Sequence, residues 1–180
     1  MPTKVVVGVQ WGDEGKGKII DILASRSDVV VRSQGGNNAG HTVKCDGEVY
    51  KLALIPSGVL YPKVRCLIGC GVVVDPKSIL AEIDGLKARG ITCANLRIDP
   101  RAHVVMPWHL VLDGMSEDKL GSSKIGTTRR GIGPCYMDKS ERIGLRLSDL
   151  CNPQQLADKV KVVGALKNSI IEKVYGGAPL

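Results

Sequence analysis

Val5-Val6-Val7-Gly8-Val9-Gln10-Trp11-Gly12-Asp13-Glu14-Gly15-Lys16-Gly17-Lys18-Ile19-Ile20-Asp21-Ile22-Leu23 places an apolar run, a glycine-rich stretch and a second apolar run in direct succession. The order predicts a buried strand over 4–9, a tight turn, and a helix over 17–24. Within it, Gly12-x4-Gly17-Lys18 matches most of a phosphate-binding loop. The last position departs from that pattern, because Ile19 stands where such loops carry Ser or Thr. Backbone N–H groups at a strand-to-helix turn point at an anion, and the helix N-terminus adds positive potential. Lys16 and Lys18 add full charges. Asp13 is repelled by phosphate unless it binds a cation or accepts a proton, and both roles fit the loop. A hard Mg²⁺ takes oxygen ligands, and Ile19 cannot supply the usual hydroxyl.

Working outward, Asp28 to Arg32 predicts a second strand. It leads into Gln34-Gly35-Gly36-Asn37-Asn38-Ala39-Gly40-His41-Thr42, which is too polar and glycine-rich for regular structure. In a parallel sheet this second loop opens on the same edge as the first, so His41 comes near any bound phosphate. An imidazolium there stabilises negative charge developing on an oxygen. His103 and His109 lack such surroundings and read as structural. A third polar stretch, Gly121 to Tyr136, carries Gly126-Thr127-Thr128-Arg129-Arg130-Gly131-Ile132-Gly133-Pro134. Its hydroxyls and arginines suit a phosphate clamp. A solvated basic loop, or a nucleic-acid contact, is the alternative for this stretch alone.

The remaining elements follow from period and punctuation. Asp46-Gly47 between alternating runs predicts a hairpin over 42–54. Arg65 to Gly69 and Leu96 to Ile98 read as strands. Asp75-Pro76 opens a helix through Ile79, Leu80, Ile83 and Leu86 that ends at Gly90. Trp108 to Met115 is a short helix. Asn152-Pro153 opens a last one, with Leu156, Val160, Val163, Ile170 and Val174 as its apolar stripe. Strands alternating with helices predict an α/β fold. It has a mostly parallel central sheet with flanking helices, a P-loop-like first strand-turn-helix and an inserted hairpin.

Composition narrows the function classes. The 180 residues are 43% hydrophobic and 24% charged, as in ordinary soluble proteins. No apolar run approaches the roughly 20 residues of a membrane helix. The first residues lack a signal-peptide core, so a cytoplasmic location is expected. Six cysteines occur without a C-x-x-C pair, which argues against zinc or a disulfide framework. The net charge of +7 raises nucleic acid as a partner. The basic residues are dispersed, however, and aromatics make up only 3%, too few for stacking platforms. Small phosphorylated ligands account for the charge as well.

The three loops, taken in order, resemble adenylosuccinate synthetases, and the resemblance spans nearly the whole chain. In that family Ile19 is no departure. The resemblance implies that residues 1–180 are the N-terminal portion of a single α/β domain in an enzyme more than twice as long. It implies GTP-dependent ligation of IMP and L-aspartate through 6-phosphoryl-IMP, with Mg²⁺ as cofactor, in AMP biosynthesis. Asp13 matches the family's base and metal ligand, Gly40 a backbone carbonyl ligand, His41 the general acid, and Lys16 a catalytic cation. Gly12, Asp13, Glu14, Gly15, Lys16, Gly17 and Lys18, with Gly40, His41 and Thr42, match GTP contacts. Asp13, Glu14, Gly15 and Lys16, with Asn38, Ala39, Gly40 and His41, match IMP contacts, as does Thr128. Arg142 matches an arginine that reaches IMP in the neighbouring subunit of a homodimer. The family's guanine- and aspartate-recognition residues lie outside this chain, so these 180 residues alone are expected to be inactive. The alternative is a GTP- and Mg²⁺-binding switch without ligase chemistry. Neither nucleic acid nor a membrane is an expected partner.

Overall fold

The computed structural model describes residues 2–9, 14–45 and 47–180. Gly12 and Asp13 of the first loop, and Asp46 of the hairpin turn, lie outside the described residues. Helix α1 (Lys16–Ala24) starts at Gly15, whose φ of 80° is left-handed. Strand β1 (Val29–Arg32) follows. Then β2 (His41–Cys45) and β3 (Glu48–Leu52) pair antiparallel as the expected hairpin, with His41 opposite Leu52. Strands β4 (Arg65–Ile68) and β6 (Leu96–Ile98) join β1 in a parallel three-stranded sheet, order β1-β4-β6. Between them run β5 (Val73–Val74) and helix α2 (Pro76–Lys87). Asp75 caps α2, accepting from the N–H groups of Lys77 and Ser78. Strand β7 (His103–Val104) pairs parallel with β5, a two-residue ladder too short for periodicity to reveal.

The second half is helical. Helix α3 (Pro107–Lys119) is longer than its apolar positions suggested. The His109 ring begins it, with Nδ1 accepting the Met106 N–H at 2.9 Å. Helices α4 (Ile132–Glu141) and α5 (Pro153–Tyr175) complete the chain. Asn152 caps α5 as expected.

Two apolar clusters organise these parts. One gathers the sheet, the hairpin and α2 around Val30, Leu52, Leu54, Cys66, Ile68 and Ile79. The other packs α3 on α5 through Trp108, Leu112, Val163 and Ile171. A small third group, Val73, Val105 and Cys135, bridges them. The stripe of α5 departs from the apolar pattern. Lys167 is buried within it, because its ammonium bonds Asp138 of α4 at 2.5 Å. Val174 is exposed, and Tyr175 packs in its place beneath Lys119 Nζ.

Two local expectations need correcting. Residues 4–9 form no strand, and Val5, Val7 and Val9 are 70–88% exposed. A β-branched apolar run records strand propensity, but a strand exists only where a neighbour's N–H and C=O groups pair with it. No described strand pairs with this segment. The third polar stretch is also shorter than its composition implied. Gly133 and Pro134 belong to the first turn of α4, where Pro is tolerated because an early N–H has no helical partner. Ile132, Cys135, Tyr136 and Asp138 turn inward from that helix, which fixes it against the core.

Candidate functional site

Parallel strands present their C-terminal ends to one edge of the sheet, and the loops that follow them build sites there. The second loop leaves β1 at that edge. Arg32, the last residue of β1, holds it. Its guanidinium donates to the carbonyls of Gly36 at 2.5 Å and Gln34 at 3.4 Å, and to that of Ala53 beyond the hairpin. Burial lowers the Arg32 pKa while the nearby Glu82 raises it. A guanidinium keeps its charge regardless. Glu82, from α2, accepts the N–H groups of Ala53, Leu54 and Ile55 at 2.9, 2.9 and 3.2 Å. Asn37 is buried and donates to Asp75 at 3.1 Å, so the helix cap also anchors the loop.

The hairpin carries the loop's far end to α1. His41 lies along the helix from Gly17 to Asp21. A Cβ on Gly17 would stand 2.8 Å from the His41 Cβ, so only glycine permits this approach. His41 Nε2 is 3.9 Å from Asp21 Oδ1, a buried oxygen with no hydrogen-bond partner among the described residues. Burial pushes the imidazole pKa down, the Asp21 carboxylate pulls it up, and Arg32 adds to the lowering. At neutral pH the ring is therefore mostly uncharged. At the start of α1, Lys16 Nζ pairs with Glu14 at 2.5 Å, close over Gly8.

The third loop arrives through α4. Ile132 presses on Gly36, where a Cβ would meet its Cδ1 at 2.4 Å. Tyr136, one turn later, donates its hydroxyl to the Gly71 carbonyl at 2.7 Å and accepts the Gly35 N–H at 2.8 Å. Lys139 bonds the Cys70 carbonyl at 2.8 Å and stands over the Tyr136 ring. These contacts border an open, shallow cleft of about 570 Å³ lined by Ser33, Gln34, Gly35, Asn38, Gly71, Ile132, Tyr136 and Lys139. Polar groups and an ammonium on a wall of glycine backbone suit an anionic, planar ligand.

The sequence-predicted residues divide accordingly. Asn38 lines the cleft, and His41 meets α1 at Gly17 near Lys16 and Lys18. Ala39, Gly40 and Thr42 flank His41 in the loop and in β2, and Glu14 and Gly15 lead into α1. Thr128 is exposed on the third loop. Arg142 caps the far end of α4 with a left-handed φ of 67° and is exposed, one turn beyond Lys139. Arg32, Tyr136 and Lys139 escaped sequence reasoning. Tyr136 and Lys139 follow Ile132 at helical spacing, a signal hidden when the stretch is taken as loop. His103 and His109 are buried. His109 Nε2 lies 2.9 Å from Asp138 Oδ2 and binds α3 to α4.

The family model for adenylosuccinate synthetase matches residues 5–179. The chain is 56% identical over 180 residues to adenylosuccinate synthetase of Trichodesmium erythraeum, and 54% identical over 176 residues to that of Heliobacterium modesticaldum. These alignments cover 100% and 98% of this chain and 41% of each relative, so the chain spans about two fifths of their length. The structure of fully ligated adenylosuccinate synthetase from Plasmodium falciparum superposes with a TM-score of 0.81 at 38% identity, covering 93% of this chain and 38% of that one. The cyanophage S-2L succinoaminodeoxyadenylate synthetase gives 0.53 at 26% identity, over 74% of this chain and 36% of that one. The chain belongs to the adenylosuccinate synthetase family.

Proposed function

We propose that this chain is the N-terminal portion of a single α/β domain that ligates IMP and L-aspartate at the expense of GTP. One observation carries the reading most directly: His41 packs on Gly17, which carries the second loop onto the start of α1. A base acting on the acceptor ring and an acid acting on the phosphoryl group it receives must come from neighbouring loops, and this packing supports that juxtaposition. Family membership supports the substrates. The cyanophage relative was solved with dGMP and with dATP as an energy donor, which supports a purine 5′-monophosphate in the acceptor position.

O6 of neutral hypoxanthine is a poor nucleophile. Asp13 takes the proton from N1 of IMP, which puts negative charge on O6. O6 then attacks the γ-phosphorus of GTP, the bond to the β,γ-bridging oxygen breaks, and GDP leaves. His41 donates a hydrogen bond to the phosphoryl oxygens during transfer, and Lys16 neutralises charge beside it. The aspartate amine then attacks C6, phosphate departs with the O6 oxygen, and adenylosuccinate forms. Phosphoryl transfer needs positioning and charge neutralisation above all, which these loops provide.

Gly12 to Lys18, with Gly40 to Thr42, hold GTP in this scheme. Glu14 to Lys16, Asn38 to His41 and Thr128 hold IMP. The Asp13 carboxylate and the Gly40 carbonyl would hold Mg²⁺, which takes hard oxygen donors of this kind. Gly40 directly precedes His41, the residue packed on Gly17 of α1. Mg²⁺ supplies charge neutralisation on the triphosphate. Arg142, exposed at the end of α4, completes the IMP site of a neighbouring subunit in a homodimer.

The test is turnover of IMP, GTP and aspartate by the full-length protein. Adenylosuccinate with one GDP and one phosphate per product is expected, and Asp13→Ala abolishes it. GTP and Mg²⁺ binding with no IMP-dependent product would replace this reading with that of a switch module. Within this proposal the 180 residues alone show no turnover.

A further inference from the structure

The third loop stands on a rack of carboxylates from α3. Asp113 uses both oxygens: Oδ1 accepts the Thr127 hydroxyl at 2.8 Å and Oδ2 accepts the Gly131 N–H at 2.8 Å. Glu117, one turn later and buried, accepts the Gly126 N–H at 2.6 Å. The two ends of the loop are thus fixed to one face of one helix, since positions i and i+4 are neighbours there. His109 extends that face by another turn, and Gly131 packs on its backbone, where a Cβ would meet the His109 carbonyl carbon at 2.8 Å.

The bonding is directional. With its proton committed to Asp113, Thr127 Oγ1 accepts the Arg129 N–H at 3.1 Å. Arg129 is held at a φ of 53°, a left-handed conformation that persists only where its surroundings over-determine it. Its guanidinium is turned back to Asp118 of α3 at 2.6 Å. Behind the loop every anchor is spoken for. In front, Thr128 and Arg130 are exposed and have no side-chain partner among the described residues. A basic loop would ordinarily be mobile; this one is tied to α3 at both ends, with both acidic anchors occupied by donors of the loop itself.

We propose that Asp113 is a positioning residue for the substrate nucleotide. By clamping Thr127 and Gly131 it fixes the crown of the third loop, and with it the proposed Thr128 contact to IMP. The inference rests on the IMP reading of that loop. Tethering the loop at Thr127 and Gly131 lowers the ordering penalty that IMP binding carries. Losing the clamp therefore weakens IMP far more than GTP, whose proposed contacts lie on the first and second loops.

The experiment uses the full-length protein and the variants Asp113→Asn, Thr127→Val and Thr127→Ser. Steady-state kinetics are read with hydrogen exchange over residues 124–132. Asp113→Asn and Thr127→Val are expected to raise KM for IMP at least tenfold, to leave KM for GTP within twofold, and to speed exchange of the Gly131 amide. Thr127→Ser, which keeps the hydroxyl, is expected to stay within threefold of wild type in KM for IMP. An unchanged KM for IMP in the first two variants overturns the inference. So does an equal rise in both KM values, or a fall in kcat alone with a lowered melting temperature, because those mark a merely structural role. A wild-type protein without IMP-dependent turnover overturns the ligase reading and takes this inference with it.

Discussion

Gly17 and His41 are in contact through the one face of α1 that has no side chain, with the His41 Cβ 2.8 Å from where a Gly17 Cβ would be. The first helix and the second loop share a position that a methyl group would contest. Gly17→Ala is favoured by helix propensity by about 1 kcal/mol. Overpacking against His41 opposes this by roughly 1–3 kcal/mol. Net stability therefore falls by up to about 2 kcal/mol. A displacement of His41 by an ångström costs on the order of a hundredfold in rate. The expected outcome in full-length protein is a kcat lowered about a hundredfold with a melting temperature lowered by at most several degrees, read by steady-state kinetics beside calorimetry.

The Asp21 carboxylate bears on the same imidazole. Burial holds the His41 pKa below its ordinary 6.5, and Asp21 partly offsets this. Asp21→Asn removes the offset. An NMR titration of the His41 ring should give a midpoint below 6.5 in the unliganded protein, and a lower one still in the variant. A midpoint that rises in Asp21→Asn would show that the carboxylate does not face the ring.

Glu82 is the hub beneath the hairpin, receiving three consecutive N–H groups from 53–55. Leu54 and Ile55 are fully buried, so water does not replace the lost acceptor. Glu82→Ala should destabilise by about 3–5 kcal/mol, since hydrogen bonds to a charged group are worth about 1.5–3 kcal/mol each and do not add fully. Glu82→Gln, which keeps one acceptor oxygen, should lose less. Denaturant unfolding distinguishes them. Equal losses would mean that the geometry of the turn, not the carboxylate, holds the chain.

Asp138 is buried between Lys167 and His109. Burial pushes its carboxyl pKa up, but the hydrogen bonds from His109 and Lys167 outweigh it, and the net shift is downward. The unfolded value is about 3.9. A depressed folded pKa contributes stability that is fully present well above that value and is lost as pH falls through it toward the folded pKa. Wild type should therefore lose stability steeply below about pH 4. Asp138→Asn should show a shallower acid slope and start about 3–5 kcal/mol lower at pH 7, because Lys167 is left buried and unpaired. Thermal unfolding between pH 3 and 7 reads both.

Tyr136→Phe keeps the ring beside the cleft and deletes the hydroxyl that bridges Gly35 and Gly71. The Gly35 N–H loses its acceptor, and Gln34 to Asn38 loses one tether. KM for IMP should rise roughly three- to tenfold with a stability loss of about 1–2 kcal/mol. Kinetics with denaturation settles whether the cleft wall needs that hydroxyl.

Local chemistry made several features legible. Asp75-Pro76 and Asn152-Pro153 cap helices by short-range bonds that need no tertiary partner. The paired alternating runs around Gly47 fold as a hairpin. The helix after Gly15 and the strand before the second loop fall where pattern put them. Long-range partners were not legible. Val5, Val6, Val7 and Val9 make an apolar run with strand propensity yet form no strand, because pairing is supplied by a neighbour and not by propensity. Tyr136 and Lys139 belong to the cleft only because Ile132 docks on Gly36.

What the sequence by itself determined is the chemical inventory: three glycine-rich loops in a fixed order, with Asp13, His41 and Thr128 on them, and the family those loops belong to. These rest on residue type and spacing, which survive without coordinates. The tertiary structure decided which groups serve each loop. Arg32 and Glu82 brace the second loop, Asp113 and Glu117 brace the third, and Gly17 allows His41 against α1. The physical reason is that buried charges and close backbone contacts are satisfied by partners distant in sequence. Only the fold specifies which N–H meets which carboxylate.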